Sequence, residues 1–138
     1  MNRRELQQLS RLRVQDAKIL LDNGRHLGAY YLLGYAVECA LKACIAKQIR
    51  QHDFPDRKLV NDSYTHDLER LMTISGLKST FDTEIETYDH LAANWAFVRD
   101  WSEGSRYETD LPGPTARNFY SAVTAPGDGV LSWLKRHW

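Results

Sequence analysis

The chain has 138 residues, with 18 basic and 18 acidic side chains, so its formal charge is zero. That balance excludes a strongly basic protein gripping nucleic acid over its whole surface. An apolar share of 43% excludes disorder, and no unbroken apolar run approaches the ~20 residues of a membrane span. Met1 leads into a helical pattern with no secretory leader, so a single domain over residues 1–138 in the cytoplasm is expected.

Neutrality hides an asymmetry. Residues 1–50 carry nine basic and four acidic side chains, and residues 51–138 carry nine and fourteen. Opposed halves of this kind either drive docking of a partner or are solvated helix faces.

The first helical pattern covers residues 3–23. Leu6, Leu9, Ala17 and Leu20 share a face, with Leu12, Ile19 and Leu21 widening it. Asn23-Gly24 stops it. The second pattern covers 26–52, with Leu27, Tyr31, Gly34, Val37, Leu41 and Ile45 at helical spacing. Its many small residues let another helix approach closely, so it is expected at the centre. Cys39 and Cys44 are five apart on it, a poor geometry for a disulfide and no zinc spacing, and read as small buried residues.

Residues 53–64 read as a loop, because Asp53-Phe54-Pro55-Asp56 and Asn61-Asp62-Ser63 are turn chemistry. A short helix is expected over 66–75, capped by Thr65, anchored by Leu68, Leu71 and Met72, and closing one end of the bundle. A third long helix is expected over 80–100, capped by Ser79 or Thr80, with Ile85, Tyr88, Ala92, Trp95 and Val98 as its stripe. Residues 102–114 form a second loop. The last helix starts near Thr115, with Ala116, Phe119, Tyr120 and Val123 inward; Pro126-Gly127-Asp128-Gly129 interrupts it before Val130, Leu131 and Leu134. It is either one kinked helix or two stacked segments. No segment reads as strand. The expected class is all-α, a mostly antiparallel four-helix bundle, five with the short helix.

Three places carry polar chemistry. Glu38 and Lys42 are i, i+4 in the favourable order on an apolar helix. They are either a surface-edge ion pair or a carboxylate facing the bundle and held by a cation from another helix. His66 opens the short helix, where it either packs at the cap or carries a proton. Arg99 to Glu108 is the densest polar and aromatic run. Arg99, Arg106 and Tyr107 suit phosphate and base contact. Alternatively, Trp101 and Tyr107 pack on the bundle end and Arg106 pairs with Glu38 or Glu108. Metal chemistry is not expected: Glu86 and His90 form a single pair, and no spacing brings His26, His66 and His90 together. Walker, Rossmann and nucleophile-elbow motifs are absent, and no cofactor is expected.

The run Tyr30-Tyr31-Leu32-Leu33-Gly34-Tyr35-Ala36-Val37-Glu38-Cys39-Ala40-Leu41-Lys42-Ala43 resembles the second helix of the HEPN superfamily, whose signature is A-V-E-x-x-L-K-A. His66-Asp67-Leu68 and Arg106-Tyr107 also look like members of that family. The resemblance implies a helical bundle, often a homodimer, in toxins, defence factors or RNA-processing proteins. Some members sit beside a minimal nucleotidyltransferase in a toxin–antitoxin pair. Its catalytic members are metal-independent ribonucleases with an Arg-x(4–6)-His motif, and no arginine of this chain is followed by histidine at that spacing.

The leading expectation is therefore a non-catalytic HEPN-like module. It would bind a protein partner, and possible nucleotide or RNA contact would run through Glu38, Lys42, His66, Arg99, Arg106 and Tyr107. One alternative is a divergent ribonuclease using the same residues. Another is a purely structural dimerisation domain.

Overall fold

The computed structural model describes residues 1–51 and 56–138. Among them it has eight α-helices and one 3₁₀ helix, and no strand. Helix α1 spans Arg3–Asp22 and α2 spans His26–Gln51. Asn2 and Glu5 close a capping box at the start of α1: the Asn2 side chain accepts from the Glu5 N–H at 3.0 Å and the Glu5 carboxylate from the Asn2 N–H at 2.8 Å. After Asn23-Gly24 the chain doubles back, and α1 and α2 form the most extensive helix pair in the molecule. Buried Ser10 ties them by donating to the Ala36 carbonyl at 2.7 Å.

Helix α2 is the centre of the fold. Leu33, Ala36, Val37, Ala40, Leu41 and Ala43 are fully buried. Its stretch His26–Ile49 is long and apolar enough to cross a bilayer, yet 61% of its apolar window is buried inside the molecule. It packs against α1, α4 (Leu68–Ile74), α7 (Gly113–Thr124), α8 (Val130–Leu134) and the 3₁₀ helix Glu103–Tyr107.

Several expected elements are corrected. Of the loop expected over 53–64, residues 53–55 lie outside the described residues, as does residue 52 of the second helix. Arg57–Asp62 forms helix α3, because Asp56 accepts from the Lys58 N–H at 2.9 Å and caps it. The short helix, α4, spans Leu68–Ile74 with Asp67 as its cap, not Thr65. Nor does it close an end of the bundle. His66, before α4, touches Glu38, while Gly76, after it, lies beside Gln48. The helix therefore runs alongside the C-terminal half of α2.

The long helix expected over 80–100 is two helices, α5 (Lys78–Glu84) and α6 (Leu91–Val98), with turns over 85–90 and no capping side chain at either start. Leu91, Trp95 and Val98 face inward, and Ala92, expected inside, is exposed. On α1, Ile19 is 63% exposed and Leu12 is 39% exposed, so these two do not widen its buried stripe.

Beyond α6, the expected loop contains the 3₁₀ helix Glu103–Tyr107, started by the Ser102 hydroxyl accepting from the Gly104 N–H at 3.1 Å. Helices α7 (Gly113–Thr124) and α8 (Val130–Leu134) are two separate segments packed together. They bury Phe119, Val123, Trp133 and Leu134 in the shared core.

Candidate functional site

The site begins with a carboxylate in the middle of an apolar helix. Glu38 is 4% exposed. Burying a carboxylate is costly unless it is paired and hydrogen-bonded. Two side chains meet that need. Lys42, one turn on, donates from Nζ to Glu38 Oε1 at 2.8 Å. His66 brings its Nδ1 to 2.9 and 3.0 Å from the two carboxylate oxygens. Glu38 thus faces the bundle interior, held by Lys42 from its own helix and by His66 from the segment before α4.

Local structure places His66. The Thr65 hydroxyl accepts from the Asp67 N–H at 3.1 Å, and Asp67 accepts from the Arg70 N–H at 3.1 Å. These turns fix the residue between them against α2. The far ring nitrogen, Nε2, lies 3.1 Å from Glu103 at the start of the 3₁₀ helix. One imidazole thus joins three segments: α2, the start of α4 and the 3₁₀ helix. Both ring nitrogens face carboxylates.

Aromatic residues wall the network. Tyr35 meets the His66 ring edge-on at 5.9 Å and Trp101 edge-on at 5.2 Å. Burial, then its hydroxyl contact with Tyr31 and the charges of Glu38 and Glu103, hold the Tyr35 phenol above its ordinary range. Trp101 is 3% exposed and lies flat over Gly34, which gives it room.

Outside this wall is an open cleft of about 430 Å³, lined by Thr65, His66, Asp67, Glu69, Arg99, Trp101, Ser102 and Glu103. Its charged groups are three carboxylates against one guanidinium and one imidazole. Arg99 lies 3.8 Å from Glu69, so its charge is partly answered within the cleft. A phosphodiester entering here meets more negative than positive charge.

Four of the six residues singled out from the sequence converge: Glu38, Lys42 and His66 are bonded, and Arg99 shares the cleft with His66. Arg106 and Tyr107 do not join them. The Arg106 guanidinium stacks on the neighbouring Tyr107 ring at 4.8 Å, and hydrogen bonding to Tyr107 and then Tyr31 holds it above its ordinary value. It pairs with neither Glu38 nor Glu108. Tyr107 is 77% exposed and does not pack on the bundle, whereas Trp101 does. The residue that sequence reasoning passed over is Glu103. Its signal was its place in the polar run Arg99 to Glu108, between the turn-forming Ser102 and Gly104.

Among the described residues no group of three or more His, Cys, Asp or Glu has metal-binding geometry. Comparison with protein-family models, with curated proteins and with solved structures returns no match.

Proposed function

We propose that this chain is a HEPN-like, mostly antiparallel helical bundle and a non-catalytic module of a toxin–antitoxin, defence or RNA-associated system. It acts by binding a protein partner of nucleotidyltransferase type and by pairing with a second copy of itself. The observation that carries this reading is the closed Glu38–Lys42–His66–Glu103 network. The side chains that resemble the superfamily signature satisfy one another inside the fold. They serve as a bracket, and the acidic cleft beside them is ill suited to an RNA backbone. Leu12 and Ile19, two turns apart on the outer side of α1, supply apolar surface for a partner.

The test is a tagged pull-down from the native host, read by mass spectrometry and by absorbance for nucleic acid. Recovery of a nucleotidyltransferase is expected. RNA recovered without protein overturns the reading.

One observation favours a second reading, a divergent metal-independent ribonuclease. His66 and Arg99 line the same cleft, and Glu38 orients the imidazole as a proton-transfer group needs. RNA cleavage by purified protein that disappears in both His66→Gln and Arg99→Ala, with folding intact, would establish it. Equal background cleavage in all three proteins ends it.

A further inference from the structure

We propose that His66 is a proton-operated clip: the charged imidazole ties the start of the 3₁₀ helix to α2, and the neutral imidazole releases it. The inference rests on the bracket described above but on no partner's identity, so the pull-down and the experiment below fail separately. What carries it is the position of one ring between two acceptors from different elements. His66 Nδ1 lies 2.9 and 3.0 Å from the Glu38 oxygens, and Nε2 lies 3.1 Å from a Glu103 oxygen. An ionised carboxylate only accepts, so each of these contacts is a hydrogen bond only when the ring supplies the hydrogen.

A neutral imidazole carries one N–H and an imidazolium carries two. The single hydrogen of the neutral ring belongs on Nδ1, because the Glu38 side chain is 5% exposed and loses most when a donor is withdrawn. The Nε2 lone pair then faces the Glu103 carboxylate, acceptor against acceptor. The Glu103 side chain is 38% exposed, so it turns to water at small cost and its tie to the ring is lost. The closed clip therefore holds one proton more than the open one. By linkage it is present in acid and lost as pH rises through the range where imidazoles change charge.

The groups facing the ring come from four elements. Helix α2 presents Glu38, with Lys42 Nζ on the same carboxylate, and the edge of Tyr35. The start of α4 adds Asp67 and Glu69, the end of α6 adds Arg99, and the 3₁₀ helix adds Glu103; these four line the same cleft as His66. Four carboxylates thus stand against two cations, and Arg99 is already 3.8 Å from Glu69. The ring itself is 40% exposed, so protons reach it from solvent. What the clip controls is one wall of the cleft, formed by Ser102 and Glu103. Opening frees a carboxylate and removes a cation, so the cleft becomes more negative by one charge.

The test is a double-mutant cycle on the whole chain at constant ionic strength. Urea unfolding of the wild type, His66→Gln, Glu103→Ala and the double variant is measured at about pH 5.5 and about pH 8, on either side of the ordinary imidazole value of ~6.5. A coupling of about threefold in the unfolding constant is expected at the lower pH and none at the higher. The wild type reports the same change without substitution. Its Ser105 amide donates to the Ser102 carbonyl at 3.1 Å inside the tied turn. Hydrogen-exchange protection of that amide, corrected for the intrinsic rate, should fall by about threefold between the lower and the higher pH. Equal coupling at the two pH values, whether present at both or absent at both, overturns the inference, and so does unchanged protection at Ser105.

Discussion

Gly34 on α2 and Trp101 occupy adjoining space with no margin: a Cβ on Gly34 would fall 1.9 Å from Trp101 Cε2 and 2.1 Å from its Nε1. The small residues of α2 suggest a close helix neighbour, but at this position the neighbour is an indole. Gly34→Ala gains about 1 kcal/mol of helix propensity. It must also push aside a ring that is 3% exposed and wedged against Tyr31 and Tyr35. The net expectation is a loss of about 2 kcal/mol, read as a lower urea midpoint with reduced Trp101 ordering in near-ultraviolet circular dichroism. A variant as stable as the wild type would mean that the indole does not lie on α2.

The Glu38–His66 contact predicts a specific coupling. His66→Gln leaves a buried carboxylate with Lys42 as its remaining strong partner, and about 1–3 kcal/mol should be lost. Glu38→Gln removes the charge that Lys42 and His66 answer. Both of these side chains are partly exposed, at 22% and 40%, so water relieves them and the cost should be nearer 1 kcal/mol. The two losses should not add. A double-mutant cycle on urea unfolding should give a coupling of about 1 kcal/mol, and strict additivity would show that the bracket does not form in solution.

The parts of this fold that are legible in sequence are the ones governed by local rules. Helices α1 and α2 repeat their apolar positions over many turns, so their existence and, Leu12 and Ile19 apart, their facing follow from periodicity. Glu38 and Lys42 are readable as a pair because i, i+4 spacing is local. The break between α5 and α6 is not legible. Ile85-Glu86-Thr87-Tyr88-Asp89-His90 contains neither Gly nor Pro, and Ile85, Tyr88 and Trp95 fit an unbroken helical stripe. The stripe runs through the break in phase, Leu91 being buried in place of its neighbour Ala92, so the apolar pattern carries no mark of the interruption. The site divides in the same way. That His66 meets Glu38, 28 residues away, depends on the course of α4 along α2. Glu103 depends in addition on the 3₁₀ turn that carries it to the imidazole.

Gly129, just before α8, is required by space. Its φ of −65° and ψ of 143° suit any residue. A Cβ there would lie 2.5 Å from the Ala125 carbonyl oxygen and 2.8 Å from that of Val123. Both are backbone atoms near the end of α7 and cannot swing aside as a side chain can. The same turn is pinned from α6 by Asn94, which donates to the Asp128 carbonyl at 3.0 Å. Gly129→Ala should therefore cost about 3 kcal/mol by forcing α7 and α8 apart. Asn94→Ala should cost about 1 kcal/mol. Thermal and urea melts of the two variants check the order, and a Gly129→Ala protein within 0.5 kcal/mol of wild type, well under the ~1 kcal/mol scale of a strained core, would contradict the close α7–α8 junction.

The two cysteines predict how stability responds to alkali. Burial pushes the Cys44 thiol up to about 12 and the Cys39 thiol up to about 11, from an ordinary value of 9.0. Nearby Lys47 and Arg3 act against the rise at Cys44, and Lys42 and Arg13 act against it at Cys39, but burial is the larger cause at both. Below pH 9 both thiols keep their protons whether the chain is folded or not, and their contribution is fully present. As pH rises past 9 the unfolded chain loses those protons first, so it binds fewer protons than the folded state and stability falls. The loss levels off near 11 for Cys39 and near 12 for Cys44. Each thiol contributes at most about 1.4 kcal/mol per pH unit. Tyr30 and Tyr35 are also raised, but from 10.0, so the interval from 9 to 10 isolates the thiols. Urea midpoints should fall across that interval in the wild type and stay nearly level when both cysteines are alanine, each profile being referred to its own value at pH 8, about one unit below thiol titration. An equal fall in both proteins would show that the thiols are not held protonated by the fold.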